Sequence, residues 1–342
     1  ATDEYENVRL LVKKILNVPD SHSVIFTSGT TESINLIAYS WGLKNLKKAD
    51  SVLITEMEHH SNIIPWQLIT KKTNSSLNYI PLSNNGTLNT ESMNEQLLSS
   101  TKIISISHQS NVFGTINPIK NIIDKAKSMD ILTLIDGAQA VPHLKVNLAE
   151  LDSDFYVFSG HKMLGPTGVG VLIGRNELLE EMEPFLGGGE MINKVNMHES
   201  TWNEIPWKFE AGTPKVAQVI GLGAAIKYLM NIGLDNIHNH EQGLLQYALD
   251  ILEQNENIIL YGNPPERGAV IPFNLKNIHA HDLAKFLDLD GICIRAGHHC
   301  AQPIMDYLNV SSTARISMNI YNDENDIDIL AAGIKKTIST LN

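Results

Sequence analysis

Lys162 is the residue of this sequence whose setting points most directly to chemistry. It follows the apolar run from Phe155 to Phe158 and a Ser-Gly-His turn, and a glycine- and proline-rich segment continues to Gly170. A lysine at a strand end can project into a cleft, where loss of water lowers its pKa and favours the free amine. A free amine forms a Schiff base with an aldehyde such as pyridoxal phosphate (PLP). The alternative, a surface lysine in a loop, is the usual fate of a lone lysine.

Two other strand ends carry groups that suit the same cofactor. Asp136 ends an apolar segment, and a carboxylate at the carboxyl end of a strand can keep a pyridine nitrogen protonated. The segment from Thr27 to Glu32 joins a strand to a helix, so backbone N–H groups and the hydroxyls of Thr30 and Thr31 form a plausible phosphate cup. Each feature also has a simpler interpretation as a helix cap.

The adjacent histidines His59 and His60 follow a further strand. One imidazole could stack on an aromatic cofactor ring, or both could be exposed loop histidines. Neighbouring histidines point in different directions, and neither H-E-x-x-H nor cysteine-rich spacing accompanies them. We therefore predict no metal site.

A cysteine and two arginines stand out in the last fifty residues. Cys300 lies in a glycine-containing loop with histidines and Arg295, a setting that can lower a thiol pKa. The alternative is a small inert hydrophobe. Arg315 begins a strand and could bind a carboxylate through two hydrogen bonds, although a surface salt bridge is the commoner role of an arginine.

The elements that would position these residues alternate between strand and helix. Short apolar strands are predicted at 23–26, 51–55, 77–81, 102–107, 131–135, 154–158 and 170–173. Helices lie between most of them, one at 119–128, and the histidine-rich segment after 51–55 is predicted to be an irregular loop. This pattern predicts an α/β fold with a mostly parallel sheet covered on both faces. From about residue 214 long helices and scattered strands, one of them at 292–295, predict a smaller α+β domain. We place a large domain at residues 1–222 and a small one, carrying the cysteine loop, at 223–342.

Composition narrows the class of protein. The chain has 342 residues, 43% of them hydrophobic, and a net charge of −12, which argues against nucleic-acid or anionic-membrane partners. No apolar run approaches the ~20 residues of a membrane span.

Two cysteines make no disulfide framework and indicate a reducing compartment. The sequence opens inside a helical pattern without methionine, so we expect a truncated or processed N-terminus. The expected location is the cytoplasm, or a plastid-type organelle if a targeting segment has been removed.

Taken together, these segments resemble the cysteine desulfurases of the class V aminotransferase-like superfamily, and especially the group II enzymes of the SUF iron–sulfur assembly system. The resemblance runs nearly end to end. Its most specific motifs are Thr31-Glu32-Ser33-Ile34-Asn35-Leu36, Glu58-His59-His60-Ser61-Asn62, Asp136-Gly137-Ala138-Gln139, Ser159-Gly160-His161-Lys162, Phe209-Glu210-Ala211-Gly212-Thr213-Pro214 and Arg295-Ala296-Gly297-His298-His299-Cys300. One departure is that the family's N-terminal stretch with a Leu-Asp-x-Ala-Ala-type motif has no counterpart in this sequence.

The resemblance implies a fold type I PLP-dependent homodimer and a role for each residue. Lys162 would carry PLP, Asp136 would pair with its ring nitrogen, Gln139 would contact its ring oxygen, and His59 would stack on the ring and help move protons. The phosphate would be held by Thr30, Thr31, Ser159 and His161, and by Thr213 of the other subunit. Asn111 and Arg315, with Arg295 close by, would hold the substrate carboxylate, and Cys300 would be the nucleophile.

The implied reaction converts L-cysteine to L-alanine and leaves a persulfide on Cys300 for a sulfur-acceptor protein. The short loop after Gly297 is typical of group II. Three alternatives stay open: a selenocysteine lyase acting on L-selenocysteine, a transaminase, and a non-catalytic sulfur-transfer or scaffold protein. The Cys300 loop argues against the transaminase, and the lysine and carboxylate argue against the scaffold.

Overall fold

The computed structural model describes residues 1–341. The helices are α1 (Thr2–Ile15), α2 (Thr30–Ile37), α3 (Leu43–Asn45), α4 (Ile64–Thr73), α5 (Thr90–Gln96), α6 (Ile119–Lys127), α7 (Leu148–Leu151), α8 (Asn176–Glu181), α9 (Val216–Ile232), α10 (Leu234–Glu253), α11 (Ala280–Asp288), α12 (Gln302–Leu308) and α13 (Glu324–Leu341). The strands are β1 (His22–Thr27), β2 (Ser51–Thr55), β3 (Ser76–Ile80), β4 (Thr101–Ser107), β5 (Leu132–Asp136), β6 (Phe155–Ser159), β7 (Gly170–Arg175), β8 (Ile192–Val195), β9 (Ser200–Trp202), β10 (Ile258–Leu260), β11 (Val270–Leu275), β12 (Arg295–Gly297) and β13 (Thr313–Ser317).

A seven-stranded sheet in the order β1-β7-β6-β5-β4-β2-β3 forms the centre of the larger part of the chain. The strands from β6 through β3 pair in parallel, and β7 is antiparallel to both of its neighbours. Parallel strands need crossover connections, which the intervening helices provide. The predicted α/β class with a mostly parallel sheet is confirmed.

Both faces of this sheet are buried, which explains its nearly continuous apolar strands. Along β6, Phe155 and Val157 pack on one side with α2 and α4, while Tyr156 and Phe158 pack on the other side with α1 and α9. A close approach at the start of β7 requires glycine, because a Cβ on Gly170 would lie 2.3 Å from the backbone of Gly29. That approach brings the β1–α2 turn against the end of β6.

A second, antiparallel sheet in the order β10-β11-β13-β12 packs with α10, α11 and α13 around a separate core. This is the predicted smaller α+β unit. The predicted boundary between residues 222 and 223 lies inside α9, and the division at that position stays a prediction.

Several elements differ from the sequence expectation. The histidine-rich region predicted to be irregular leads into α4, and α12 and the β8–β9 hairpin were not predicted. A strand predicted at 292–295 instead begins at Arg295, because pairing with β13 starts where Arg295 faces Arg315. Among residues 1–341 no single helix has the length and apolar character of a membrane span, although the α9–α10 pair, bent by 74°, meets that test by length and composition.

Candidate active site

The predicted site residues lie near the carboxyl ends of neighbouring strands. Asp136 ends β5, and Lys162 follows β6 in the 3-10 turn Gly160–Met163. His59 follows β2 and Asn111 follows β4. Because these strands are parallel, their ends share one edge of the sheet, which is where ligands bind in open α/β folds.

Lys162 and Asp136 influence each other's ionisation. Burial lowers the pKa of the Lys162 amine, an effect that the charge of Asp136 opposes. Burial likewise raises the pKa of the Asp136 carboxyl, and the positive charge of Lys162 opposes that shift. Asp136 accepts a hydrogen bond from the N–H of Ala138 at 2.9 Å. The site therefore combines an amine that readily becomes neutral with a buried carboxylate.

The predicted phosphate cup is assembled by the structure only in part. The N–H and hydroxyl of Thr30 lie 2.9 and 2.8 Å from the Ser159 hydroxyl, and the Thr31 hydroxyl lies 2.8 Å from that of Ser61. Thr30 begins α2, so N–H groups of a helix N-terminus face this cluster. The His161 side chain is exposed on the turn that carries Lys162.

Within residues 1–341 Thr213 makes no hydrogen bond to this cluster, and it lies in an exposed loop that shares a surface crevice with Glu32. Its loop is fixed by Glu210, whose carboxylate accepts hydrogen bonds from the buried Arg9 at 2.9 and 3.2 Å. The same carboxylate accepts from the N–H of Phe26 at 2.7 Å. Thr213 is therefore exposed on a loop whose base is fixed by the hydrogen bonds of Glu210.

A cavity of about 150 Å³ lies beside Lys162 and is also lined by Gln139 and Arg315. Arg315 donates from Nη1 to the carbonyl of Asn111 at 2.8 Å, while its buried Nε has no hydrogen-bond partner. Burial, together with the positive charge of the nearby Arg295, lowers the pKa of Arg315 to about 10. A buried guanidinium with an unused donor is suited to a carboxylate ligand.

Cys300 follows β12 and is half-buried. Its Sγ lies 3.6 Å from Nη2 of Arg295, which pairs with Arg315 across β12 and β13. The charge on Cys300 also acts on Lys162, where it raises the pKa of the amine. The structure therefore brings together the predicted nucleophile, both predicted arginines and the lysine.

His59 is held as a neutral ring. The N–H of Ser61 donates to Nδ1 at 3.1 Å, which leaves the proton of the neutral ring on Nε2. Burial lowers the pKa of His59 to about 4, and the positive charge of Lys162 contributes to the shift. His59 can therefore present an N–H at Nε2 near neutral pH.

Glu58 is a buried carboxylate to which the sequence analysis assigned no role. It accepts hydrogen bonds from the Thr55 hydroxyl at 2.6 Å, from the Asn62 amide at 2.7 Å and from the Ser107 N–H at 3.0 Å. Burial raises its pKa to about 7 against the effect of these donors. Glu58 fixes the turn that carries His59 and His60. Its place three residues after the apolar strand β2, near a strand end as Asp136 is, is the signal that could have identified it.

A second unassigned pair borders the cavity beside Lys162. Nδ1 of His143 lies 2.9 and 3.0 Å from the two carboxylate oxygens of Glu241, which is almost fully buried on α10. His143 lines the same cavity as Lys162. The pair joins the loop after β5 to the second unit of the chain.

These residues fit PLP. Lys162 offers an amine of lowered pKa, Asp136 a buried acceptor for a ring nitrogen, and the α2 N-terminus a set of N–H and hydroxyl donors for a phosphate. The fold is that of the PLP-dependent type I transferases. The chain belongs to the class-V aminotransferase family, whose profile matches residues 1–330.

Known relatives are similar over almost the whole chain. A protein named probable cysteine desulfurase from Halalkalibacterium halodurans is 51% identical over 337 residues, which cover 98% of this chain and 83% of the relative. The crystal structure of the cysteine desulfurase CsdA from Escherichia coli superposes with a TM-score of 0.96 at 35% identity, covering 100% of this chain and 85% of that one. An apo cysteine desulfurase from Thermococcus onnurineus gives a TM-score of 0.95 at 33% identity, covering 99% and 84%. The family part of the predicted resemblance is confirmed.

Proposed function

We propose that this protein is a PLP-dependent cysteine desulfurase that converts L-cysteine to L-alanine and leaves a persulfide on Cys300. The observation that carries the proposal is the position of Cys300. Its Sγ lies 3.6 Å from Arg295, beside a buried arginine with a free donor and within electrostatic reach of Lys162. The names of the relatives support the same activity.

PLP would be held by the residues that the sequence analysis selected. Lys162 would bind it covalently, Asp136 would keep its ring nitrogen protonated, Gln139 would contact its ring oxygen and His59 would cover its ring. The phosphate would take its donors from Thr30, Thr31, Ser159 and His161. When bound, PLP supplies an electron sink for the negative charge that develops at the substrate Cα.

The chain's own residues would orient and cleave the substrate. Arg315 and Asn111 would hold the carboxylate of L-cysteine, which places its sulfur toward Cys300. The Cys300 thiolate would then attack that sulfur. An S–S bond forms as the Cβ–S bond breaks, and the electron pair and a proton go to Cβ. The Cys300 sulfur is oxidised to a persulfide, Cβ is reduced to the methyl group of alanine, and His59 would carry a proton at Nε2.

A steady-state assay of alanine and sulfide from L-cysteine, with dithiothreitol as the sulfur acceptor, tests this function. Cys300→Ala and Lys162→Ala should each lower the rate at least about a hundredfold. Lys162→Ala should also lose the visible PLP band, while Cys300→Ala should keep it. Full activity on L-cysteine in Cys300→Ala would exclude Cys300 as the nucleophile. Activity that survives only with L-selenocysteine would still fit the proposal, because selenium leaves without a thiol nucleophile.

We further infer that the enzyme belongs to group II and serves the SUF system. Four residues separate Gly297 from Gln302, so the Cys300 segment is short and tied to the protein at both ends. A short tether carries a persulfide only a small distance, so a protein acceptor has to approach it. A purified SUF-type acceptor with a reactive cysteine should therefore raise the rate of alanine formation. An equally strong effect of an acceptor whose cysteine is replaced by serine would contradict this assignment.

A further inference from the structure

Cys300 lies on a strained backbone. His299 and Cys300 have φ angles of 53° and 56°, so two consecutive residues other than glycine adopt the left-handed conformation. Such a backbone conformation is strained and persists only when surrounding contacts enforce it. The loop therefore requires contacts from outside itself to hold the thiol in place.

His60 supplies two of these contacts, one to Cys300 itself and one to Gln302, two residues further along the chain. Its N–H donates to the carbonyl of Cys300 at 2.7 Å. Its ring Nε2 accepts the N–H of Gln302 at 3.0 Å. A third contact comes from the Asn111 amide, which donates to the carbonyl of His299 at 2.7 Å. The backbone on both sides of Cys300 is thus held by residues of the larger unit.

The position of His60 is set by buried groups. His60 begins the 3-10 turn His60–Asn62, and Glu58 and Asn62 close that turn through a buried hydrogen bond of 2.7 Å. Asn62 in turn accepts from the indole N–H of Trp66 at 3.1 Å, at the start of α4. The His60 contacts that hold the Cys300 loop therefore come from a turn that buried residues of the core fix in place.

The ring of His60 accepts a hydrogen bond at Nε2. Because Nε2 takes the N–H of Gln302, the neutral ring carries its proton on Nδ1. Burial and the neighbouring His298 lower the pKa of His60, which keeps the ring neutral. An amide oxygen can replace an imidazole nitrogen as an acceptor, whereas a methyl group cannot.

We propose that His60 is a positioning residue for the nucleophile, which holds the strained Cys300 loop so that Sγ faces the substrate. This inference rests on the proposed role of Cys300. It is a separate role from that of His59, because the two adjacent side chains bind different partners, Ser61 for His59 and Gln302 for His60.

The test compares His60→Ala, His60→Gln and His281→Ala holoenzymes. His281 is an exposed histidine beside Gly297, and its side chain makes no hydrogen bond within residues 1–341. In His60→Ala we expect kcat for alanine formation to fall about tenfold, with KM within about twofold of wild type, because a positioning contact to the nucleophile is lost. His60→Gln should recover most of kcat, and His281→Ala should match wild type.

Alkylation by iodoacetamide, followed residue by residue by mass spectrometry, reports the loop directly. In His60→Ala the half-buried Cys300 should be alkylated severalfold faster, while the exposed Cys293 gives an unchanged rate in the same sample. A His60→Ala enzyme with wild-type kcat and wild-type Cys300 alkylation would overturn the inference. A kcat in His60→Gln no better than in His60→Ala, with the visible PLP band intact, would also overturn it. Alanine formation by Cys300→Ala would instead contradict the proposed function, so the two failures are distinguishable.

Discussion

Lys162 and Asp136 show how one environment prepares two groups for different tasks. The same burial favours the neutral amine and disfavours the ionised carboxyl, and the attraction between the two charges limits both shifts. A lysine that loses its proton more easily than usual can attack an aldehyde at a lower pH than a free lysine can.

The lowered pKa of Lys162 predicts the pH dependence of PLP binding to the apo-protein. The neutral fraction of an amine rises with pH and levels off above its pKa, so the reconstitution rate should reach its plateau below the ordinary lysine value of about 10.4. Stopped-flow recording of the visible band against pH measures this. A rate that still rises steeply near pH 10 would show that the amine is not perturbed.

The free Nε of Arg315 predicts a defect in substrate binding. Arg315→Lys keeps a positive charge but removes the planar set of donors, so KM for L-cysteine should rise about tenfold or more. The PLP spectrum should not change, because the assigned contact is to substrate. An unchanged KM with a lowered kcat would place Arg315 in another role.

Among individual residues, the sequence predicted those whose position after an apolar strand is distinctive. Lys162 and Asp136 follow apolar runs, and the structure places both at the strand ends. Glu58 shares that signal, but its importance depends on partners from β4 and from the following turn, which no local pattern reveals. The contact between His60 and the Cys300 loop joins residues more than two hundred positions apart, so no local sequence pattern predicts it either.

Among the elements, the turn between β2 and α4 connects the two halves of the site. His59 lies near Lys162, and His60 holds the Cys300 loop through Gln302. Glu58 fixes the turn by accepting a hydrogen bond from Asn62. A change in the stability of this turn should therefore affect both the binding of the proposed cofactor and the position of Cys300, the proposed nucleophile.

Replacement of Glu58 by alanine should destabilise the protein strongly. It would leave the buried donors of Asn62 and Ser107 without an acceptor, at a cost of about 3 kcal/mol or more. Differential scanning calorimetry of the apo-protein should show a clearly lowered Tm. Glu56→Ala, which removes one hydrogen bond to the N–H of Leu82, serves as the milder control. Equal Tm values for the two variants would contradict the assigned role of Glu58.

The raised pKa of Glu58 also predicts a pH effect on stability. Between the ordinary value of 4.5 and about 7, the folded protein keeps a proton that the unfolded chain has released. Stability is then lost as pH rises through this window, so the advantage of wild type over Glu58→Gln should shrink by about 3 kcal/mol. Denaturant unfolding of both proteins at several pH values measures it. A difference independent of pH would mean that Glu58 stays ionised throughout.

Elements with strong local patterns were predicted more successfully than those near the site. The predicted strand at 51–55 matches β2, and helix α6 differs from its prediction at one end only. Helix α4 was missed because the histidines that precede it and Pro65 near its start indicated a loop, although Pro65 occupies a first-turn position that tolerates proline. Strand β12 was misplaced because its register is set by β13, a distant segment.

For the whole molecule, the position of Thr213 bears on the predicted homodimer. Thr213 is exposed on a loop fixed by Glu210, and within residues 1–341 it makes no hydrogen bond to the Thr30–Ser159 cluster. Nearby, the β8–β9 hairpin exposes Met197 and Trp202. Both features suit a surface that meets a second copy of the chain, and we propose that Thr213 completes the phosphate cup of the partner.

A subunit-mixing experiment tests this arrangement. Thr213→Ala and Lys162→Ala homodimers should each bind PLP poorly, whereas mixed dimers should regain one site with both residues intact. The visible band should therefore increase on mixing. Sedimentation should give about twice the 37.9 kDa of one chain. A monomeric holoenzyme, or mixing without gain, would contradict the shared site.

The central claim is that sulfur passes from L-cysteine to Cys300, and a single turnover tests it most directly. The holoenzyme is mixed with one equivalent of L-cysteine without reductant, alanine is quantified, and the cysteine-containing peptides are analysed by mass spectrometry. The account predicts equal amounts of alanine and of a peptide with one additional sulfur on Cys300, and none on Cys293. Alanine formed without sulfur on Cys300, or sulfur on Cys300 without alanine, would contradict it.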